Sequence, residues 1–352
     1  MDDYSVLYFV LLFIISAIFH HYFKKNTMCP TSVGSIIMAI GIVTYDVLPR
    51  LFFITLFLRH LIVIELLIVW LYFFFFFTKS TIEGSFNLFI TNGINQLGVG
   101  TWIAGSSVLA LLFIQEMPLW YGVIWICELC ALAIWPIYMI LSLNNLKKIF
   151  LKKIRIHSGN LLLITVSTQA ITLLTHILFA PSFPISGSRV LILLGYACYL
   201  VSIMIIGKYI FSCTKKRLFL GWSNGNSIIH GALSISGLAS TITQAMSEEV
   251  ILSTWYLASI LLCLVEGMGL IKLYYRIKIS GFIEGVFVYN LSQWTRIFTL
   301  GMYYSFTLAL YKRDISSNFI VAHVIALGKY IVFLIFIFEI FIFFRDKLSF
   351  TK

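Results

Sequence analysis

The chain has 352 residues, 60% of them hydrophobic and 11% charged, with a formal charge of +11 and a mean hydropathy of +0.98. A soluble domain of that length cannot bury so much apolar surface, which excludes a water-soluble enzyme or binding module. The basic residues sit in short segments between apolar runs, as membrane topology signals do, and this argues against a nucleic-acid partner.

Runs of about 20 apolar residues, each able to cross roughly 30 Å of hydrocarbon, recur along the chain. They predict an all-α polytopic membrane protein; the short alternating segments of a membrane β-barrel are missing from the sequence. In chain order the predicted spans are 4–23, 33–58, 61–77, 86–114, 119–142, 159–180, 189–212, 224–245, 250–273, 286–311 and 318–344. The first begins at Asp2 and Asp3 and ends at Lys24 and Lys25. A cleaved signal peptide has the reverse polarity, so this run reads as a retained helix. Residues 1–30 thus form an extra N-terminal span, and 31–352 the main domain. Pro49, between Asp46 and Arg50, predicts a kink or break late in the second span.

The charges alternate from one connection to the next. One side receives Lys79, then Lys147, Lys148, Lys152, Lys153 and Arg155, then Lys215, Lys216 and Arg217, then Arg276 and Lys278, and finally Arg345 and Lys347. The other receives Arg59, Glu116, Arg189, Glu248, Glu249 and the Lys312–Asp314 cluster. The positive-inside rule then predicts a cell-membrane protein with its N-terminus outside and its C-terminus in the cytoplasm, which an odd number of spans satisfies.

The spans starting near 33, 86, 159, 224 and 286 are rich in Gly, Ser, Thr, Asn and Gln, whereas their successors are bulky and aliphatic or aromatic. Small and polar side chains belong against other helices or a watery path, and bulky ones against lipid. Five inner helices ringed by five outer ones is the expected arrangement.

The inner spans carry a family resemblance. "SIIMAIGIVT" (35–44), "LLLITVSTQAITLL" (161–174), "IIHGALSISGLAS" (228–240) and "WTRIFTLGMYY" (294–304), with a looser match in "LGVGTWIAGSSVLALL" (97–112), resemble inner-helix motifs of the tellurite-resistance/C4-dicarboxylate transporter family, which includes the slow anion channels. The resemblance implies ten helices in five hairpins around a central anion pore, often assembled as a homotrimer, with an aromatic residue of the ninth core helix closing the pore. Phe298 is the motif phenylalanine, and Phe306 is the other candidate gate. The chain departs from the family pattern at Thr299, where a proline is expected, at Arg296 in place of an aliphatic residue, and at His230 in place of methionine.

An anion pathway needs positive potential and hydrogen-bond donors without tight binding. Arg296 and His230 are the candidate anion-attracting residues. Asn95, Gln96, Thr168, Gln169, Ser234, Ser236, Thr295 and Thr299 are candidate pore-lining donors, together with Ser35, Thr44 and Asn92. Each also has a structural reading: the hydroxyls and amides as bonds between packed helices, His230 as a buried neutral imidazole, and Arg296 as a partner for Asp46 or Glu266. Cys127 and Cys130 form a C-x-x-C without a second pair or a nearby histidine, so they read as packing residues, and no metal or cofactor is expected. The sequence contains no H-E-x-x-H, G-x-S-x-G or P-loop, and no loop large enough for a catalytic constellation, so an enzyme is not expected. The expected function is an anion channel or transporter for a small anion in a lipid bilayer. A proton-coupled organic-acid or sulfite carrier and a non-transporting protein on the same fold are the alternatives.

Overall fold

The computed structural model describes residues 10, 13, 14, 16, 17, 30–52, 55–84, 93–152, 158–180 and 182–349. The predicted span 4–23 therefore lies almost wholly outside the described residues, as do Lys24, Lys25, Asn92, Lys153 and Arg155. No strand occurs among the described residues.

The helical segments are α1 (Thr31–Leu51), α2 (Leu56–Ile82), α3 (Asn95–Glu116), α4 (Tyr121–Phe150), α5 (Gly159–Leu178) and α6 (Ile185–Ser212). They continue with the short α7 (Lys215–Gly221), then α8 (Ile228–Thr243), α9 (Glu248–Val286), α10 (Ser292–Lys312) and α11 (Phe319–Ser349). Among the described residues eight of these are long and apolar enough to cross a membrane; besides the short α7, only α8 and α10 are not. Those two carry His230, Arg296 and many hydroxyls, yet nearly all their residues are buried.

Burial sorts the helices as the residue types predict. At least 83% of the most apolar stretch of α1, α3 and α5 is buried, against at most 39% for α2, α4, α6, α9 and α11. The buried helices touch in a closed circuit: α1 on α3, α3 on α5, α5 on α8, α8 on α10, and α10 back on α1. Outside this circuit, α2 leans on α1 and α3, α4 on α3 and α5, α6 on α5 and α8, α9 on α8 and α10, and α11 on α10.

Small residues make the circuit possible. A β-carbon on Gly34 would stand 2.8 Å from the Thr101 carbonyl oxygen, and one on Gly301 would stand 2.7 Å from Ile42, so side chains there would force α1 away from α3 and α10. Outer helices are fixed by aromatic side chains whose polar tips reach inward. Trp70 on α2 donates to Ser106 Oγ at 2.9 Å, and Tyr138 on α4 to the Leu97 carbonyl at 3.1 Å. Tyr199 on α6 donates to the Ile229 carbonyl at 3.1 Å, and Trp255 on α9 to Thr307 Oγ1 at 2.9 Å. Each such ring buries a large apolar surface while its one polar atom finds a partner.

The break expected at Pro49 takes the form of a π-turn over Val43–Val47, followed by one last turn to Leu51. Proline has no N–H to donate and its ring crowds the carbonyl four residues earlier, so the preceding turn widens.

Candidate functional site

Two cavities concern the residues singled out in the sequence. The first lies inside the circuit. It has a volume of about 230 Å³ and is lined from all five buried helices, by Asp46, Ser107, Leu173, Leu238 and Met302 among others. Its wall on this side consists of Met302, Ser305, Leu308, Ala309 and Lys312 of α10 and Arg313 just after it. Its rim carries Lys312 and Arg313 beside Asp46, whose carboxylate is paired one turn on with Arg50 at 3.0 Å.

At about 100° per residue, the stripe Met302–Ser305–Ala309–Lys312 defines the face of α10 turned to this cavity. Phe298, one turn before Met302 and fully buried, falls on that stripe. Phe306 falls about a quarter-turn off it, and its ring occupies the notch left by Gly237 on α8. The two gate candidates therefore occupy different environments, one in line with the cavity and one at a helix seam. Arg296 lies about half a turn from the stripe, on the opposite face of α10.

None of the eight polar residues expected to line a pore lines this cavity. Gln96 accepts from Asn145 Nδ2 at 2.7 Å, and the Asn95 carbonyl accepts from Thr31 Oγ1 at 2.6 Å. Thr168 donates to the Ile164 carbonyl and accepts from Trp135 Nε1, while Gln169 Nε2 donates to the Ile192 carbonyl on α6 at 3.1 Å. Ser234 and Ser236 donate to carbonyls four residues back, His230 and Ala232. Thr299 donates to the Arg296 carbonyl and presses its methyl group on Gly231, and Thr295 is buried. Gln96, Thr168, Gln169, Ser234, Ser236 and Thr299 thus close local or interhelical bonds through their side chains.

The second cavity, about 140 Å³, lies outside the circuit, between the start of α8 and α9, α10 and α11. Here Arg296 meets Glu266 on α9: its Nε donates to Glu266 Oε2 at 2.7 Å, and its Nη2 donates to the same oxygen. The other oxygen, Oε1, is 3.8 Å from His230 Nε2, too far for a hydrogen bond. His230 is completely buried and neither ring nitrogen has a hydrogen-bond partner. Glu339 on α11, also buried, lines the same cavity with Oε1 unpartnered. The structure thus joins Arg296 and His230 into one cluster with Glu266.

Sequence reasoning missed Glu339, Lys312 and Arg313 as site residues. A lone glutamate in the run "FLIFIFEIFIFF" was a readable signal, because an ionisable group in hydrocarbon needs a partner or a purpose. Lys312 and Arg313 extend the helical face of Phe298 by four turns, which periodicity alone could have shown. No group of residues able to hold a metal ion occurs among the described residues. No protein-family model matches the chain, and no curated protein is significantly similar to it.

Proposed function

We propose that the chain conducts small anions across a membrane through the axis enclosed by α1, α3, α5, α8 and α10, as a ten-helix bundle of five hairpins closed by Phe298. The observation that carries this reading is the cavity reached by all five buried helices, with Phe298 on the same face of α10 as its lining residues. Charge favours an anion. Asp46, the acidic residue in the cavity wall, is neutralised by Arg50, leaving Lys312 and Arg313 in excess at the rim. Below Phe298 the five helices begin together, and helix N-termini carry partial positive charge. The resemblance of the inner-helix motifs to tellurite-resistance/dicarboxylate transporters and slow anion channels points the same way.

Anion flux in proteoliposomes tests the proposal. Phe298→Ala is expected to raise flux, and Phe306→Ala to leave it near wild type while lowering stability by about 3 kcal/mol, as for other aromatic truncations in packed interiors. Lys312→Gln combined with Arg313→Gln is expected to lower flux by about tenfold at low ionic strength, and less when salt screens the rim. Flux indifferent to Phe298 and to the rim charges would reject the axial pathway.

One observation favours a second reading, a proton-coupled carrier. His230, unpartnered and 3.8 Å from a carboxylate oxygen, would exchange a proton with Glu266 after a closing movement of less than about 1 Å or through one bridging water. In that case uptake follows an imposed proton gradient in the wild type and loses this dependence in His230→Gln.

A further inference from the structure

The second cavity has features that neither an axial pathway nor a proton relay uses. Its mouth carries Lys272 and Arg276, one turn apart on α9 and both half-buried. Lys272 donates to the Trp222 carbonyl, and Arg276 has neither a hydrogen bond nor an ion pair among the described residues. The third cation, Arg296, is already neutralised by Glu266. Two positive charges therefore stand one turn apart at the edge of an apolar bundle with no carboxylate within 4 Å among the described residues. Glu284 lines an adjoining pocket without pairing with either, and like charges so placed repel unless an anion joins them.

The walls are polar and incompletely satisfied. Ser227 Oγ and Glu339 Oε1 both line the cavity, belong to residues at most 3% exposed, and have no hydrogen-bond partner. Buried polar atoms are normally paired, and the Ser227 hydroxyl is a donor that suits an anionic oxygen, whereas the Glu339 carboxyl suits water or a donor instead. Glu266 and Glu339 also line the cavity, Glu266 paired with Arg296 and Glu339 buried, and their negative charge leaves Lys272 and Arg276 as the part of the wall that attracts an anion. The rim is amphipathic. On one side Leu270 and Phe338 are 61% and 43% exposed. On the other, the cavity shares Trp222, Ser223, Asn224, Lys272 and Arg276 with a polar pocket of about 440 Å³ that reaches Glu284 near the end of α9 and Asn290 in the connection before α10. An occupant spanning that rim is apolar on one side and anionic on the other.

We propose that this cavity is a second anion site, which holds the phosphate group of a membrane phospholipid with its acyl chains against Leu270 and Phe338. Basic pockets between membrane helices near the charged interface suit such headgroups. Two unpaired cations favour a headgroup with net negative charge, such as phosphatidylglycerol, over phosphatidylcholine, whose choline they repel. The site is independent of the axial cavity and stands whether or not the protein conducts anions.

The experiment is native mass spectrometry of the full-length protein purified in mild detergent and offered equal amounts of phosphatidylglycerol and phosphatidylcholine. Wild type is expected to retain phosphatidylglycerol preferentially. Lys272→Gln with Arg276→Gln is expected to weaken its retention by about thirtyfold, from the usual contribution of two basic residues near a membrane surface. Lys312→Gln with Arg313→Gln, at the opposite end, is expected to leave phospholipid retention unchanged. The single variants Lys272→Gln and Arg276→Gln give intermediate losses and serve if the double variant elutes as aggregate. Equal retention of the two lipids, or undiminished retention by the variants, would overturn the proposal. Displacement of the lipid by an equal concentration of inorganic phosphate would overturn the lipid assignment in favour of free phosphate.

Discussion

The Arg296–Glu266 pair is the residue on which the chemistry of the second cavity turns. A guanidinium within an apolar bundle is tolerated because two of its donors converge on one carboxylate. Removing the carboxylate leaves the cation uncompensated, so Glu266→Gln is expected to cost about 3 kcal/mol, seen as a lower thermal midpoint in detergent. Replacing both partners, Glu266→Leu with Arg296→Met, is expected to recover most of that loss, because a matched apolar pair has no charge to desolvate. A Glu266→Gln protein as stable as wild type would mean that the pair contributes nothing. The sequence already offered Glu266 as one of two partners for Arg296. It could not choose between Glu266 and Asp46, because the choice depends on which helices meet; Asp46 proves to be taken by Arg50 one turn away. The polar residues expected along a pore show a related limit. A hydroxyl on a buried helix reads the same whether it faces a channel or returns its bond to a carbonyl four residues back, as Ser234 and Ser236 do.

At the scale of elements, existence and order were legible and ends were not. Helices lie over ten of the predicted spans, but α2, α4 and α9 run on past Lys79, Lys147, Lys148, Arg276 and Lys278, which the charge pattern places in connections. Charge marks where a helix leaves hydrocarbon, and the backbone can stay helical in water beyond that point. α9 bends only at Gly281, with φ +80° and ψ +170°, a conformation essentially restricted to glycine. The turn brings Gly285 so close to Ile277 that a β-carbon there would lie 2.8 Å from its Cα. Gly281→Ala is therefore expected to cost about 1–3 kcal/mol locally. Amide exchange over residues 282–291 should quicken while α8 and α10 keep their protection. Unchanged exchange would show that the backbone adapts without strain. Because this connection borders the polar pocket beside Lys272 and Arg276, the same variant should also loosen retained phospholipid.

For the whole molecule, polar contacts between helix ends fix which connections share a side. Arg59, at the start of α2, pairs with Glu116 at the end of α3 at 3.2 Å. Arg189, at the start of α6, donates to the Ala245 carbonyl just after α8 at 2.7 Å, and Arg313, just after α10, donates to the Ile242 carbonyl at the end of α8. At the other end Lys272 reaches the Trp222 carbonyl ahead of α8. The Arg59–Glu116 pair joins two residues that the charge alternation puts on one side, and Arg189 and Arg313, assigned to that side too, both reach the end of α8 that leads to Glu248 and Glu249. The circuit of α1, α3, α5, α8 and α10 also agreed with the small-polar composition of those spans, since only small side chains allow five backbones to approach one another. What the alternation leaves to experiment is which side faces the cytoplasm. The basic end, with Lys147, Lys148 and Lys152, should be cytoplasmic, because translocating clustered cations against the membrane potential is unfavourable. In a background with the native cysteines replaced by serine, Glu249→Cys, exposed at the start of α9, should react with a membrane-impermeant maleimide in intact cells. Lys148→Cys, exposed near the end of α4, should react only after permeabilisation. The reverse pattern would place Lys272 and Arg276 in the outer leaflet, and the rim of Lys312 and Arg313 would then gather anions from the cytoplasm instead of from outside.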